Sequence, residues 1–318
     1  MRRTITLALL LVAAVRLHAA DDVIRRHFDV ADGGTLRLDA GFGNIKVVAG
    51  GTGVAIEVVR EAHGRHATED LQNHKVTFEQ HGNDVVIDTE DEHDHGWFNF
   101  SNLSVQWNVR VPAHTNVELK TSGGNIDLAD LGGTVDARTS GGNIKTGRLG
   151  GVANLYTSGG QVDVAGGAAS ITARSSGGSI HVGETQGKVD ARTSGGSVTV
   201  ERATGDVYVR SSGGSIRVDE AMGAVDAETS GGSIEAKLSR QPRGDSRLVT
   251  SGGGVVVAIA QGVKLDLDAR SSGGGVSSNV PVTILGTQGE DSLKGQINGG
   301  GPRLVLRSSG GGIRVRPL

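Results

Sequence analysis

Arginine stands at residues 138, 174, 192 and 210 of this 318-residue chain, Tyr156 fills the step between the first two, and Glu228 follows the last, so these positions recur at a constant spacing of eighteen. If one such period brings the chain back over itself, Arg174, Arg192 and Arg210 stack one above another. Stacked like charges are unfavourable unless an anion or neighbouring acids offset them. Arg174, Arg192, Arg210 and Tyr156 are therefore the candidate ligand-binding residues, for an anionic glycan or another envelope ligand. Asp190, two residues before Arg192, is the internal partner that would instead make the stripe ordinary surface pairing.

A second chemistry would be cleavage of polysaccharides. It needs clustered carboxylates as acid and base, roughly 5–9.5 Å apart for glycoside hydrolysis. On the same spacing one outward track reads Asp127, Lys145, Asp163, His181, Thr199, Arg217, Glu235, and another reads Asp136, Asn154, Thr172, Asp190, Tyr208, Asp226. Carboxylates alternate with other residue types on both, so none stack, and the expectation is a solvated charged surface with no catalytic residue. There is no Gly-x-Ser-x-Gly nucleophile elbow either. A polysaccharide lyase or hydrolase on this scaffold is the enzymatic alternative, and a periplasmic partner in envelope signalling is a third reading.

Metal chemistry has one candidate. In Glu90-Asp91-Glu92-His93-Asp94-His95, His93 and His95 would share a face of an extended chain and could hold Zn²⁺ or Cu²⁺ weakly, the alternative being a polar loop. With no cysteine in the chain, thiolate metal sites, a Cys nucleophile and disulfides are excluded. Glycine-rich nonapeptides can form calcium-binding coils, but Gly123-Gly124-Asn125-Ile126-Asp127-Leu128 has Ile and Leu where that motif needs Gly and Asp. No cofactor is expected. Arg243-Gly244-Asp245 matches an integrin-binding tripeptide of host-facing proteins, a weak signal as a single occurrence.

The element that must position these side chains is a repeat. The tetrad [Thr/Ser]-Ser-Gly-Gly begins at residues 121, 139, 157, 175, 193, 211 and 229, then at 250, 271 and 308, with a weaker copy offset by nine inside each regular unit. Two and four residues after each glycine pair come small or aliphatic side chains, as in Ile126 and Leu128, Val162 and Val164, Val198 and Val200. Alternation of period two, rich in β-branched residues, predicts short strands with one buried face, and the glycines are expected to supply the positive φ of tight turns. Each unit is then two strands and two turns. An antiparallel meander would repeat at nine. A parallel β-solenoid (β-helix) with one coil per period, right-handed winding being expected, accounts for chemical identity recurring at eighteen. The hydroxyl that opens each tetrad has inward parity and predicts a hydrogen-bonded ladder. One coil cannot bury enough apolar surface to offset the ordering of its backbone, so stability must come from neighbouring coils and capped ends. Regular coils over 121–238 predict a rod of about 30 Å at ~4.8 Å per coil.

Composition agrees with this all-β reading. Glycine supplies 52 of 318 residues and aromatics 3%, while 36% hydrophobic content argues against disorder. A net charge of −3 gives no nucleic-acid-binding footprint. Arg2 and Arg3, the apolar run Ile5 to Val15, and Ala19-Ala20 have the layout of a secretory signal peptide over 1–20, the alternative being a buried N-terminal helix. No later segment is apolar for the ~20 residues a transmembrane helix requires. The expected product is exported, to the periplasm, cell surface or medium. Residues 21–115 lack the tetrad and are assigned to an N-terminal β capping region. It contains a predicted hairpin (Val76 and Phe78 against Val85 and Ile87), a strand through Val105, Trp107 and Val109, and a divergent coil opening at Gly43-Asn44-Ile45-Lys46-Val47. Residues 116–318 form the solenoid, with longer coils and a C-terminal cap over 239–318 whose closing strands are expected at 298–318.

The Gly-Asn-Ile-Lys-Val opening, Val111-Pro112-Ala113 leading into Thr-Ser-Gly-Gly units, and an ending of Ile297-Asn298-Gly299-Gly300-Gly301 with Ser309-Gly310-Gly311-Gly312-Ile313 together resemble the bacterial adhesin-like family of β-strand repeat proteins. The resemblance spans roughly 36–316. It implies a single-stranded parallel β-helix on the cell envelope; from the residues themselves the chain is expected to be non-enzymatic, with envelope or host glycans or proteins as partners. The resemblance carries over no catalytic residue and leaves the oligomeric state open.

Overall fold

The structure, a computed structural model, describes residues 19–91, 103–285 and 289–318. Its strands form two long sheets, of 14 and 15 strands among the described residues, and each coil contributes one strand to each sheet. Val135–Thr139 lies parallel to Asn116–Thr121 on one side and to Ala153–Thr157 on the other, pairing Ala137 with Leu119 and Leu155. The second strand of that coil, Ile144–Leu149, pairs Ile144 with Ile126 and Val162. Each residue stacks in parallel on the residue one period later, so the solenoid holds and the meander does not. Alternate side chains face inward and are buried between the sheets, as in the track Ala137, Leu155, Ala173, Ala191, Val209 and Ala227.

The corners are glycine for a reason other than the expected one. Within the regular tetrads no glycine has a positive φ. The constraint is proximity between coils: a Cβ at Gly142 would lie 2.0 Å from the Gly124 carbonyl oxygen, and one at Gly160 equally close to Gly142. The second glycine of each pair is where backbones of successive coils touch. The first is looser, since a Cβ at Gly123 would meet nothing within 4 Å.

Hydroxyls lock these corners together. Thr157 Oγ1 donates to the Gly142 carbonyl one coil back (2.7 Å) and accepts from the Gly160 amide of its own corner (3.2 Å). Thr139, Ser175, Thr193, Ser211 and Thr229 do the same, and all are buried. A second ladder runs along the residue after the glycines. Asn125 Oδ1 accepts from the Asn143 amide and Asn143 Oδ1 from the Gln161 amide (both 2.8 Å), and the serines Ser179, Ser197 and Ser215 continue it.

At the N-terminal end the divergent coil is real. Thr35–Asp39 and Asn44–Ala49 stack directly on Asn116–Thr121 and Ile126–Leu128, Leu36 opposite Val117 and Ile45 opposite Ile126. The intervening chain leaves the rod and builds the cap. Val54–His63 runs antiparallel to Leu103–Val111 and to Ala19–Phe28, and Leu103–Val111 in turn pairs parallel with Asn44–Ala49. The hairpin His74–His81 with Asp84–Asp91 covers the other sheet, turning at His81 opposite Asp84. Trp107 is fully buried there, its Nε1 donating to the Phe42 carbonyl at 3.3 Å. Beneath the short helix Ala67–Asn73 lies a buried polar pair. Arg60 is ion-paired to Asp22 and donates to the Leu71 and His74 carbonyls (3.0 and 2.6 Å). The His74 ring is only 1% exposed, packs edge-on against Phe42, and has no hydrogen-bond partner at either nitrogen among the described residues.

At the C-terminal end the expectation of closing strands at 298–318 is corrected. Arg303–Ser308 sits inside the stack, between Ser246–Thr250 and Leu265–Ser271, and Ile313–Pro317 lies between Val255–Ile259 and Val276–Ser278. The hydroxyl ladder follows this spatial order: Thr250 donates to Gly232, Ser308 to Gly253, and Ser271 to Gly311. The physical end of the rod is made by Val276–Ser278 and by Ser292–Ile297 and Thr283–Ile284, which add antiparallel to the edge at Leu265–Ser271. Periodicity records that a coil exists. It carries no information about which coil it docks on.

Two outcomes follow from this architecture. Gly124→Ala places a Cβ 1.9 Å from the Gly43 carbonyl and costs roughly 1–3 kcal/mol or more in urea unfolding, whereas Gly123→Ala in the same corner is close to neutral; equal losses would remove the close-approach explanation. Burial, reinforced by the Arg60 charge, holds the His74 imidazole down at about 4. The unfolded chain binds that proton near pH ~6.5, so this contribution is fully present above pH ~6.5 and is lost as pH falls toward 4, on the order of 3 kcal/mol in all. The His74→Leu variant should show a correspondingly shallower loss of stability over that pH window, and parallel curves for the two proteins would refute the assignment.

Candidate functional site

Because each strand of one sheet ends in its inward hydroxyl, the residue just before it faces outward. Coil stacking therefore brings Arg138, Tyr156, Arg174, Arg192, Arg210 and Glu228 into one row in strict register, with neighbours ~4.8 Å apart along the rod. Arg138 through Arg192 line a shallow groove of about 450 Å³, bordered at one end by Lys120 and along its length by the exposed serines of the corners, Ser140, Ser158 and Ser176 among them.

The charges in the row are not equivalent. Arg138 is held in a two-point pair by Asp136 (2.8 and 3.1 Å), which raises its pKa. Arg192 is held in the same way by Asp190 (2.9 and 3.2 Å), the internal partner expected from sequence. Arg210 is clasped by Asp226 (3.0 and 2.9 Å), with Glu228 at 3.6 Å, and its pKa is also raised, the hydrogen bonds to Asp226 contributing most. Lys120 is paired with Asp39 at 2.7 Å. Arg174 differs. The position two residues before it is Thr172, and Asp190, the carboxylate one coil on in that track, is already held at two points by Arg192. Its side-chain contact among the described residues is with Tyr156, the guanidinium carbon lying 5.7 Å from the ring centroid; Arg138 approaches the same ring at 5.1 Å. Such contacts contribute about 0.5–1 kcal/mol each at exposed sites. They hold the tyrosine between two cations.

The four residues predicted from sequence are thus brought side by side, but two of the three arginines are neutralised. Arg138, which shares the track and was legible at the same spacing, belongs to the site. So do the serine hydroxyls, which the sequence pattern assigns only to turns.

Residues 44–316 match the Toastrack DUF4097 family. The chain belongs to that family. No curated protein matches this Toastrack chain. Three solved structures are similar to it over most of their length at low identity. A candidate cell adhesion protein from Clostridium sporogenes is 14% identical, with 95% of this chain and 100% of the other covered and a TM-score of 0.27. A candidate adhesin from Bacteroides fragilis is 10% identical, with 93% and 97% covered and a TM-score of 0.29. A candidate lipid binding protein from Parabacteroides distasonis is 13% identical, with 93% and 96% covered and a TM-score of 0.35.

Elsewhere on the Toastrack rod several carboxylates are engaged with bases. Asp219 bridges Arg217 and Lys237, Glu220 pairs with Arg202, and Glu235 pairs with Arg217 and Arg316. The carboxyls whose pKa departs from the ordinary range, Asp32, Asp219, Glu220 and Asp268, all move downward. For Glu220 the hydrogen bond from Arg202 is the main cause; for Asp219 partial burial pushes up, but Lys237 and Arg217 outweigh it. A general acid for glycoside cleavage needs the opposite shift. Asp245 of the Arg-Gly-Asp tripeptide accepts from the Arg303 amide at 2.8 Å, so its carboxylate takes part in joining two coils. His93 and His95 lie outside the described residues, and among the described residues no cluster of His, Asp or Glu could hold a metal ion. No helix of the described residues is long and apolar enough to cross a membrane.

The difference between paired and unpaired arginines is measurable. Arg210→Ala should lower stability by up to about 1 kcal/mol, an effect reduced by salt because the pair is partly exposed. Arg174→Ala gives up only its contact with Tyr156 and should cost about 0.5 kcal/mol. Equal losses in urea unfolding at low salt would show that Arg174 has an internal role.

Proposed function

We propose that this protein is an exported, non-enzymatic β-solenoid that binds acidic glycan of the envelope or of a host along the Arg138–Arg192 groove. Arg174 supplies the charge, and Tyr156, held between Arg138 and Arg174, offers its hydroxyl and ring edge to a sugar. One observation carries the reading: among the described residues, Arg174 is the cation lining this groove that has no carboxylate partner, and it stands beside an aromatic ring and a row of hydroxyls. A guanidinium binds a carboxylate or sulfate through paired hydrogen bonds, while serine hydroxyls match sugar hydroxyls as donors and acceptors. A row repeating once per coil suits a chain ligand running along the rod. The engaged, downward-shifted carboxylates favour binding without turnover.

Export rests on the layout of residues 1–20. Cleavage after Ala20 would leave the edge strand paired from Asp21, opposite Glu61, onward. The destination is the periplasm, the cell surface or the medium.

The test is calorimetric titration with an acidic polysaccharide and its neutral counterpart. Wild type is expected to bind the acidic polymer, more weakly as salt rises, without shortening it. Arg174→Ala should weaken binding at least about tenfold and Tyr156→Ala by a smaller factor. Unchanged affinity in Arg174→Ala, or release of shortened glycan by wild type, would defeat the proposal.

A further inference from the structure

A second unneutralised group of cations lies on the opposite face, where the first coil meets the N-terminal cap. Lys46 projects from Asn44–Ala49 and Arg110 from Leu103–Val111. The register sets Lys46 opposite Asn108 and Arg110 opposite Val48, so the two cations are diagonal neighbours, within mutual reach for long side chains. The Arg110 stem crosses the next turn, its Cγ and Cδ 3.4 and 3.7 Å from where a Cβ on Gly51 would lie. Neither cation makes an ion pair or side-chain hydrogen bond among the described residues. Arg25 and Arg26 close the far side of the same groove, which measures about 470 Å³ and includes the half-buried Val48 in its lining. Arg25 is tied to Glu57 (2.6 Å), and Arg26 donates to the Arg25 carbonyl while lying over the Phe78 ring. Four cations therefore face one carboxylate. Asp127 is opposite Lys46 on its other side, away from Arg110.

This differs from the stretches of the rod where cations interlock with acids: Arg202 reaches Glu184 and Glu220, and Arg217 reaches Asp219 and Glu235. In a chain of net charge −3, convergence of positive charge from three strands is unfavourable unless an anion occupies it. The donors come from several directions onto a compact space, which suits a group with several acceptor oxygens and more than one negative charge. We infer that Lys46 and Arg110 form the centre of a phosphate-binding site, with Arg25 and Arg26 at its rim. It is distinct from the glycan groove, which lies on the other sheet. The ligand is a phosphorylated compound, either a lipid head group presented by a membrane or a free phosphate ester.

Calorimetric titration of the full chain with inorganic pyrophosphate at low salt tests the site. Binding is expected, with a loss of at least about tenfold in Lys46→Gln/Arg110→Gln and none in Lys264→Gln, an exposed cation that lines neither groove. Both substituted positions are exposed, and unchanged thermal unfolding confirms that the variant is folded. Co-sedimentation with phosphatidylcholine vesicles, with and without phosphatidylglycerol, separates the sources. Capture by the anionic vesicles that disappears in the double variant supports the site and assigns it to a head group. Pyrophosphate binding without vesicle capture supports it and assigns a soluble ester. Absence of pyrophosphate binding, or equal affinity in wild type and double variant, overturns the inference.

Discussion

The contact on which everything else rests is the approach of one corner to the next. Successive coils bring backbone so close at the second glycine that a methyl group cannot enter, and a buried hydroxyl from each coil donates to the glycine carbonyl of its neighbour. The two features require each other. The carbonyl is within reach because no side chain separates the coils, and the buried hydroxyl is tolerable because both its donor and its acceptor capacity are used. Register follows from this. A slip by one residue would turn the aliphatic track outward and leave each hydroxyl without its carbonyl.

The same contact explains how the ends are closed. Any coil that presents a hydroxyl and a glycine at the right offset can join the stack, whatever its distance along the chain. Coil 35–49 is followed in space by coil 116–128, and Ser308 is inserted between Thr250 and Ser271. Chain that leaves the rod between such joins becomes cap: the long antiparallel strands over Asn44–Ala49 at one end and the small hairpin beside Leu265–Ser271 at the other. Both cover a parallel stack whose open end would otherwise expose unpaired backbone.

Stacking also turns sequence period into surface chemistry. Side chains one period apart become neighbours, so acids two positions away on the same strand or one coil away decide which arginines are neutralised. Arg192 and Arg210 meet carboxylates at Asp190 and Asp226, while Arg174 has Thr172 on its own strand, finds Asp190 of the next coil already taken by Arg192, and turns to Tyr156. The cluster around Lys46 and Arg110 arises differently, from strands far apart in the chain that meet only because the cap folds back onto the first coil.

The repeat, the inward aliphatic track, the hydroxyl ladder and the Arg174–Arg192–Arg210 stripe were all readable from residue order. Each is a local or near-local consequence of a fixed repeat length, and period is a property of sequence. What the glycines do was not readable, because positive φ is a local property whereas the actual constraint is a neighbouring coil. The order of the last coils, the burial of His74 beside Arg60 and the meeting of Lys46 with Arg110 depend on which distant segments dock together. A linear pattern assigns each segment its shape. Choosing its neighbour is an energetic competition among similar surfaces, and that is settled only when the whole chain packs.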